Sequence, residues 1–398
     1  MSAALNETPS AERIHIGFFG RMNSGKSSLV NALAGQEISI VSDTAGTTTD
    51  PVKKAMEING LGPCLLIDTA GFDDRSELGG KRVALTEKAA EKTDIAVILF
   101  TADDISEELA VYRTFEGNGV PVVAVISRAD SADCTVTEKR LAAEKIFPVV
   151  TSALTGKGIP ELKKRLVSVA DRTDETRTIT GGLAEDGDVI MLVMPQDIQA
   201  PKGRLILPQV QTIRELLDKK CTVISTVTDR IDNALAALAK PPKLIITDSQ
   251  VYKTVYDKKP PESRITSFST LFAAYKGDIS YYSESAAVLD RLGENSRILI
   301  AECCTHAPLD GDIARIKLPR LLRKKLGENV KIDVVSGSDF PEDLSGYDLV
   351  IQCGACMFNR RYVMSRIGRA RSQNIPMSNY GVVIAYLNGI LDKVEIPD

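Results

Sequence analysis

No apolar run among the 398 residues is long enough to cross a bilayer, so no membrane-spanning role is expected. Excess positive charge is also missing: 49 Lys and Arg stand against 53 Asp and Glu, a net charge of −4. No global basic field gathers nucleic acid, and the basic stretches at 317–325 and 360–371 read as solvated helix faces. The opening segment Met1–Arg13 is polar and lacks the apolar core of a signal peptide, which predicts a cytoplasmic protein. Seven cysteines in that compartment argue against a disulfide scaffold. Cys64, Cys134 and Cys221 are isolated and read as buried small residues or inert thiols. Cys303, Cys304, Cys353 and Cys356 instead gather in the last quarter of the chain. The rest, 43% apolar and 26% charged, is ordinary globular composition with length for two or three domains.

What is present begins with Gly20-Arg21-Met22-Asn23-Ser24-Gly25-Lys26-Ser27, which fits G-x-x-x-x-G-K-S. It lies between the strand-like Ile14–Phe19 and the helix-like Ser28–Leu33, the context a P-loop requires. Backbone N–H groups from Asn23, Ser24, Gly25, Lys26, Ser27 and Ser28 converge on a nucleotide's phosphates. Lys26 neutralises β/γ oxygens and the Ser27 hydroxyl holds Mg²⁺. Behind it stands Asp68-Thr69-Ala70-Gly71, after the apolar Cys64–Ile67: Asp68 reaches Mg²⁺ through water and the Gly71 N–H reaches the γ-phosphate. Between them Ala45–Asp50 offers Thr47 and Thr48, of which Thr48 is the candidate to complete the Mg²⁺ shell in an order–disorder switch. Lys26, Thr48, Asp68 and Gly71 are thus the candidate catalytic set. Guanine needs an acidic acceptor, and Ser127-Arg128-Ala129-Asp130 supplies Asp130 after Val122–Ile126. A second base-contacting turn, Ser152-Ala153-Leu154, follows Val149–Thr151.

These motifs resemble the translation-factor-related GTPases, especially the TrmE branch, which reads guanine with N-K-x-D and S-A-x. This chain keeps Asp130 but has Ser127 for Asn and Arg128 for Lys. The Arg128 stem can lie over a purine face, while the lost Asn amide predicts weaker guanine affinity with preference retained. Phe72 stands where Ras-like enzymes carry a water-orienting Gln, which predicts slow intrinsic hydrolysis. Asn23 resembles the asparagine with which potassium-activated GTPases bind K⁺, and the resemblance implies K⁺ dependence.

The expected fold class is α/β: an N-terminal P-loop GTPase domain with a doubly wound sheet, then two smaller α/β domains. Residues 1–175 form the TrmE-like GTPase domain in this reading, and the polar 171–188 a linker. Strand runs at Val189–Val193, Cys221–Thr226, Lys243–Thr247 and Arg264–Phe268 place a small, dimerisation-type α/β unit at 184–268. Further runs at Arg297–Ala301, Lys331–Val335 and Asp348–Gln352 place a third unit at 269–398.

Two of those strand runs end in cysteine motifs, Cys304-Thr305-His306 and Cys353-Gly354-Ala355-Cys356. Strand ends are where α/β sheets hold ligands. Three or four thiolates with a histidine suit Zn²⁺ or an iron–sulfur cluster. A thioredoxin-like redox pair lacks the early C-x-x-C at a helix start that it would need.

The whole arrangement resembles the FeFe-hydrogenase maturation GTPase family, HydF. That resemblance implies a 4Fe-4S cluster on Cys304, Cys353 and Cys356 with one exchangeable iron. It implies a scaffold or carrier that receives a two-iron subcluster from radical SAM maturases and delivers it to apo-FeFe-hydrogenase. GTP hydrolysis then switches partners, and a homodimer is expected. The family pattern often reads H-C-x-x-C, and Gln352 replaces that His. The fourth position stays open to His306, Asp310, Asp312 or solvent. Lys317, Arg360 and Arg361 can balance an anionic cluster or be plain surface charge. The rival is a tRNA-modification or ribosome-assembly GTPase with a structural zinc. An ATP-dependent redox enzyme would need adenine preference despite Asp130.

Overall fold

The computed structural model describes residues 9–35, 52–72, 89–101, 104–131, 133–170, 177–195, 205–303, 313–337 and 339–397. The chain divides into two compact units, Met1–Glu175 and Thr176–Asp398. Among the described residues no helix is long and apolar enough to cross a membrane.

In the first unit, β1 (Ile14–Gly20), β2 (Val52–Ile58), β3 (Gly62–Asp68), β4 (Ile95–Phe100), β5 (Val122–Ile126) and β6 (Val149–Val150) form one sheet. Their order is β2-β3-β1-β4-β5-β6, parallel except for the antiparallel edge pair β2–β3. Central strands covered on both faces read as continuous apolar runs, and β4 is buried at every position. Helices α1 (Lys26–Ala34) and α4 (Ile159–Ala170) pack Leu29, Leu33, Leu162 and Leu166 against one face of the sheet. Each such leucine contributes about 1.5–3 kcal/mol by leaving water. Helices α2 (Ser106–Gly117) and α3 (Thr135–Ala143) cover the other face with Phe115 and Leu141 against Phe19, Ile98 and Phe100. The edge strand β2 has no clear sequence signal, because its outer position tolerates Lys53, Lys54 and Glu57.

The second unit holds two four-stranded parallel sheets. The first, ordered β10-β9-β7-β8, comprises β7 (Val189–Val193), β8 (Thr222–Thr226), β9 (Leu244–Thr247) and β10 (Arg264–Ser267). The second, ordered β12-β11-β13-β14, comprises β11 (Arg297–Ala301), β12 (Lys331–Val335), β13 (Leu349–Gln352) and β14 (Met377–Asn379). Helices α5 (Leu207–Asp218), α6 (Ile231–Ala236) and α7 (Tyr252–Lys258) serve the first sheet. Helices α8 (Phe268–Lys276) and α9 (Ile279–Ala286) run between the two sheets in sequence. Helices α10 (Leu318–Leu326), α11 (Arg360–Ser372) and α12 (Tyr380–Leu387) complete the unit.

Two features fuse these layers. Helix α8, capped by Ser267 Oγ accepting the Thr270 N–H at 3.1 Å, gives Phe268, Leu271 and Phe272 to one core and Ala273 to the other. The last residues return to the first sheet: the Glu395 N–H donates to Ile265 O at 2.9 Å, and Thr266 Oγ1 donates to Glu395 O at 2.6 Å. Ala385 and Val394 share a core with Met191 and Val193.

Candidate nucleotide site and candidate metal centre

The P-loop geometry starts from two left-handed residues between β1 and α1. Asn23 has φ 58° and Gly25 has φ 89°, where glycine carries no Cβ penalty. The loop thereby curls so that Lys26 lies buried, with Nζ donating to the carbonyls of Gly20 (3.0 Å) and Arg21 (2.8 Å). Ser24 is buried, while Ser27 and Ser28 are exposed on the first turn of α1.

Asp68 ends β3 directly beside Phe18 of β1. Burial lifts its carboxyl above the usual carboxylate range, while the Ser27 hydroxyl, Lys26 and Lys54 pull it down. Its buried Oδ1 has no hydrogen-bond partner among the described residues. A half-buried carboxylate with a spare oxygen beside a serine hydroxyl is a donor set that fits Mg²⁺. Gly71 is buried just beyond, and Thr69 Oγ1 anchors this turn by donating to Phe18 O at 2.6 Å. Thr47 and Thr48 lie outside the described residues.

The loop after β5 is tied to the P-loop. Ser127 Oγ donates to Ser24 O at 2.7 Å, and the Arg128 guanidinium donates to Asn23 O. Arg128 is exposed with φ 61°, and Asp130 is exposed two residues on. Rather than only offering a stem to a purine, Arg128 spans from one loop to the other. The Ala129 N–H donates to Thr151 O at 3.1 Å, bringing the Ser152-Ala153 turn alongside. That turn closes through Gly158, where a Cβ would meet Val150 O at 2.1 Å.

A further P-loop contact had no sequence signal. Arg21 Nε lies 2.9 Å from a carboxylate oxygen of Glu108, which is fully buried in α2. Burial raises the Glu108 carboxyl above its ordinary range, with Arg21 opposing.

In the second unit Cys303, at the end of one strand, adjoins the C-x-x-C turn. β11 and β13 are neighbouring parallel strands with Ala301 beside Gln352, so Cys303 and Cys353 leave the same sheet edge. The Cys303 N–H donates to Cys353 Sγ at 3.1 Å. Burial, then Cys353, push the Cys303 thiol well up, whereas hydrogen bonding from the Cys303 side chain, more than from its N–H, holds Cys353 low. The C-x-x-C turn passes through Ala355 at φ 52°. Beneath it the buried Lys276 donates to Ala355 O (3.1 Å), Cys356 O (3.4 Å) and Phe358 O (2.8 Å). Asn379 Nδ2 donates to Cys353 O at 3.2 Å.

Cys304, His306, Asp310 and Asp312 lie outside the described residues. Among the described residues no three His, Cys, Asp or Glu side chains are grouped as a metal site. The soft sulfur donors of Cys353 and Cys356 suit iron–sulfur or zinc chemistry. Sequence reasoning missed Lys276 and the Cys303 contact, because neither carries a local motif. It offered Lys317, Arg360 and Arg361 either as balancing cations or as plain surface charge; Lys317 is exposed and donates to Gln250 at 2.8 Å.

Comparison with known proteins follows this division. Residues 15–128 match the family described as 50S ribosome-binding GTPase. Residues 179–277 match the Hydrogen maturase F dimerization domain, and residues 280–396 the Hydrogen maturase F tetramerization domain. Among curated proteins, GTPase Der of Wolinella succinogenes is 37% identical over 179 residues, 42% of this chain and 37% of the relative. The tRNA modification GTPase MnmE of Nitrosomonas europaea is 36% identical over 162 residues, 40% of this chain and 35% of the relative. The match thus spans little more than a third of those relatives' length. A solved structure of Aquifex aeolicus Era bound to GDP and AlF4 aligns at TM-score 0.33 and 19% identity, over 56% of this chain and 98% of that one. The first unit is a P-loop GTPase domain with further α/β domains behind it. Two maturase-F matches together span more than half of the chain, and the chain belongs to the HydF-type hydrogenase maturation GTPases.

Proposed function

We propose that this chain is a GTP-hydrolysing scaffold that carries the two-iron subcluster of FeFe-hydrogenase. Residues 1–175 do the nucleotide work, 184–268 self-associate and 269–398 hold the inorganic centre. Lys26 neutralises the phosphates, Ser27, Asp68 and Thr48 hold Mg²⁺, and the N–H groups of Ser24, Gly25, Ser28, Thr47 and Gly71 complete the phosphate cradle. Arg128, Asp130, Ser152 and Ala153 read guanine, and Asn23 binds K⁺. Cys304, Cys353 and Cys356 hold a 4Fe-4S cluster, with His306 a candidate for the remaining position. Bound on three thiolates, such a cluster offers one iron for a bridging ligand.

The observation that supports this reading is the 3.1 Å contact from the Cys303 N–H to Cys353 Sγ, which joins the residue before Cys304 to the C-x-x-C turn. Radical SAM maturases load the carrier and apo-FeFe-hydrogenase unloads it, with GTP hydrolysis as the partner switch.

Anaerobic reconstitution with iron and sulfide tests this. Near-stoichiometric iron, sulfide and an EPR signal are expected, all lost on replacing Cys304, Cys353 and Cys356 with Ala. Stoichiometric zinc without sulfide would instead favour a tRNA-modification or ribosome-assembly GTPase. Hydrolysis faster in K⁺ than in Na⁺, and competition by GTP but not ATP, are expected of the first unit.

A further inference from the structure

At the core that Cys353 borders, three buried polar side chains have unused hydrogen-bonding capacity. Gln352 is 0% exposed, and neither its Nε2 nor its Oε1 has a partner among the described residues. Tyr282 is 1% exposed and its hydroxyl is likewise unpartnered. Arg366 is 2% exposed; Nη2 donates to Gly337 O at 2.6 Å, while Nε and Nη1 have no partner among the described residues. Buried polar groups in native proteins are nearly always satisfied, so three orphans in one core need a reason.

They do share one core. Val350 of β13 and Ala301, the neighbour of Gln352 across the sheet, pack with Tyr282 and Cys303. Val363 and Ile367 of α11 flank Arg366 and belong to the same cluster. Its guanidinium sits 4.7 Å from the Phe340 and Tyr362 ring centres and 4.8 Å from that of Phe358. The aromatic faces hold the cation in place but supply no counter-charge.

Charge completes the case. The second unit buries two cations, Lys276 and Arg366, and no Asp or Glu among its described residues is buried. Lys276 spends its donors on the turn carbonyls. No ion pair of Arg366 is found among the described residues, and the sulfur atoms of Cys303 and Cys353, which border the same core, are where an anion would sit.

We propose that Tyr282, Gln352 and Arg366 are positioning residues for an anionic, sulfur-bearing metal centre seated on Cys353 and Cys356. Resting on the scaffold reading, it adds what tunes the centre: a hydroxyl, an amide and one positive charge directed at its sulfur atoms. Hydrogen bonds and positive charge at sulfur stabilise the reduced, more negative form and raise the reduction potential.

The test uses the full chain, reconstituted anaerobically with iron and sulfide and titrated redox-wise under EPR. Tyr282→Phe and Gln352→Leu are expected to retain iron but shift the midpoint to more negative potential. Arg366→Lys is expected to stay closer to the parent than Arg366→Met, which shifts further or loses iron. Unchanged GTP hydrolysis and circular dichroism show that each variant is folded. Parental midpoints in Tyr282→Phe and Gln352→Leu, or equal shifts in Arg366→Lys and Arg366→Met, overturn the proposal while leaving the scaffold reading intact. A parent protein that takes up no iron–sulfur centre overturns both.

Discussion

The Cys303 N–H donates to Cys353 Sγ across 3.1 Å, joining the ends of two neighbouring parallel strands 50 residues apart in sequence. The donor is backbone, so the contact survives replacement of the Cys303 side chain. Cys303→Ala is expected to keep most of the reconstituted iron, whereas Cys353→Ala loses it. Iron and sulfide analysis decides, and equal loss in both would make Cys303 a ligand in its own right.

Ser127 ties the loop after β5 to the P-loop through Ser24 O at 2.7 Å. Such a bond contributes about 1 kcal/mol. Ser127→Ala should therefore weaken GDP and GTP binding roughly fivefold, as titration of a fluorescent nucleotide would read. An unchanged dissociation constant would show that the two loops hold their spacing without it.

Lys26 is held by the Gly20 and Arg21 carbonyls, already aimed along the P-loop. Lys26→Ala should lower GTP hydrolysis by roughly 100-fold or more while leaving iron uptake by the second unit at the parental level. Simultaneous loss of iron would show that the cysteine centre depends on the nucleotide loop.

Glu108 supplies a pH signature. Its folded carboxyl lies above its unfolded value, first because of burial. Between those two values the folded state binds more protons, so its contribution to stability falls as pH rises through that window. Glu108→Gln removes this dependence, and its stability relative to the parent should therefore improve from acid toward neutral pH. Urea unfolding at several pH values measures it; a difference flat in pH would mean that Arg21 fully compensates the buried charge.

From within α8, Lys276 caps two carbonyls of the C-x-x-C turn and the Phe358 carbonyl just beyond it. Lys276→Met leaves those acceptors buried and uncapped, and should destabilise the second unit by about 3 kcal/mol. A urea midpoint equal to the parent's would show that water replaces the ammonium at no cost.

Much of the nucleotide site was legible because a P-loop is local. Glycine at position 25 takes φ 89°, a strand precedes it and a helix follows it, all within about a dozen residues. The strand ends carrying Cys303 and Cys353 were legible for the same reason, since apolar runs mark buried parallel strands. Strand β2 was not, because its exposed edge accepts charge, and β14 was not, because three residues make too short a pattern.

By itself the sequence determined the α/β class, the phosphate loop and the strand ends that carry Cys303 and Cys353, since each depends on residue type at short spacing. Only the tertiary structure decided that Ser127 grips Ser24 across 103 residues, that Lys276 rather than Lys317 lies under the cysteine turn, and that Tyr282, Gln352 and Arg366 are each buried. Those pairings join distant segments through packing, and hydrogen bonds made across a sheet edge leave no periodicity in the chain that makes them.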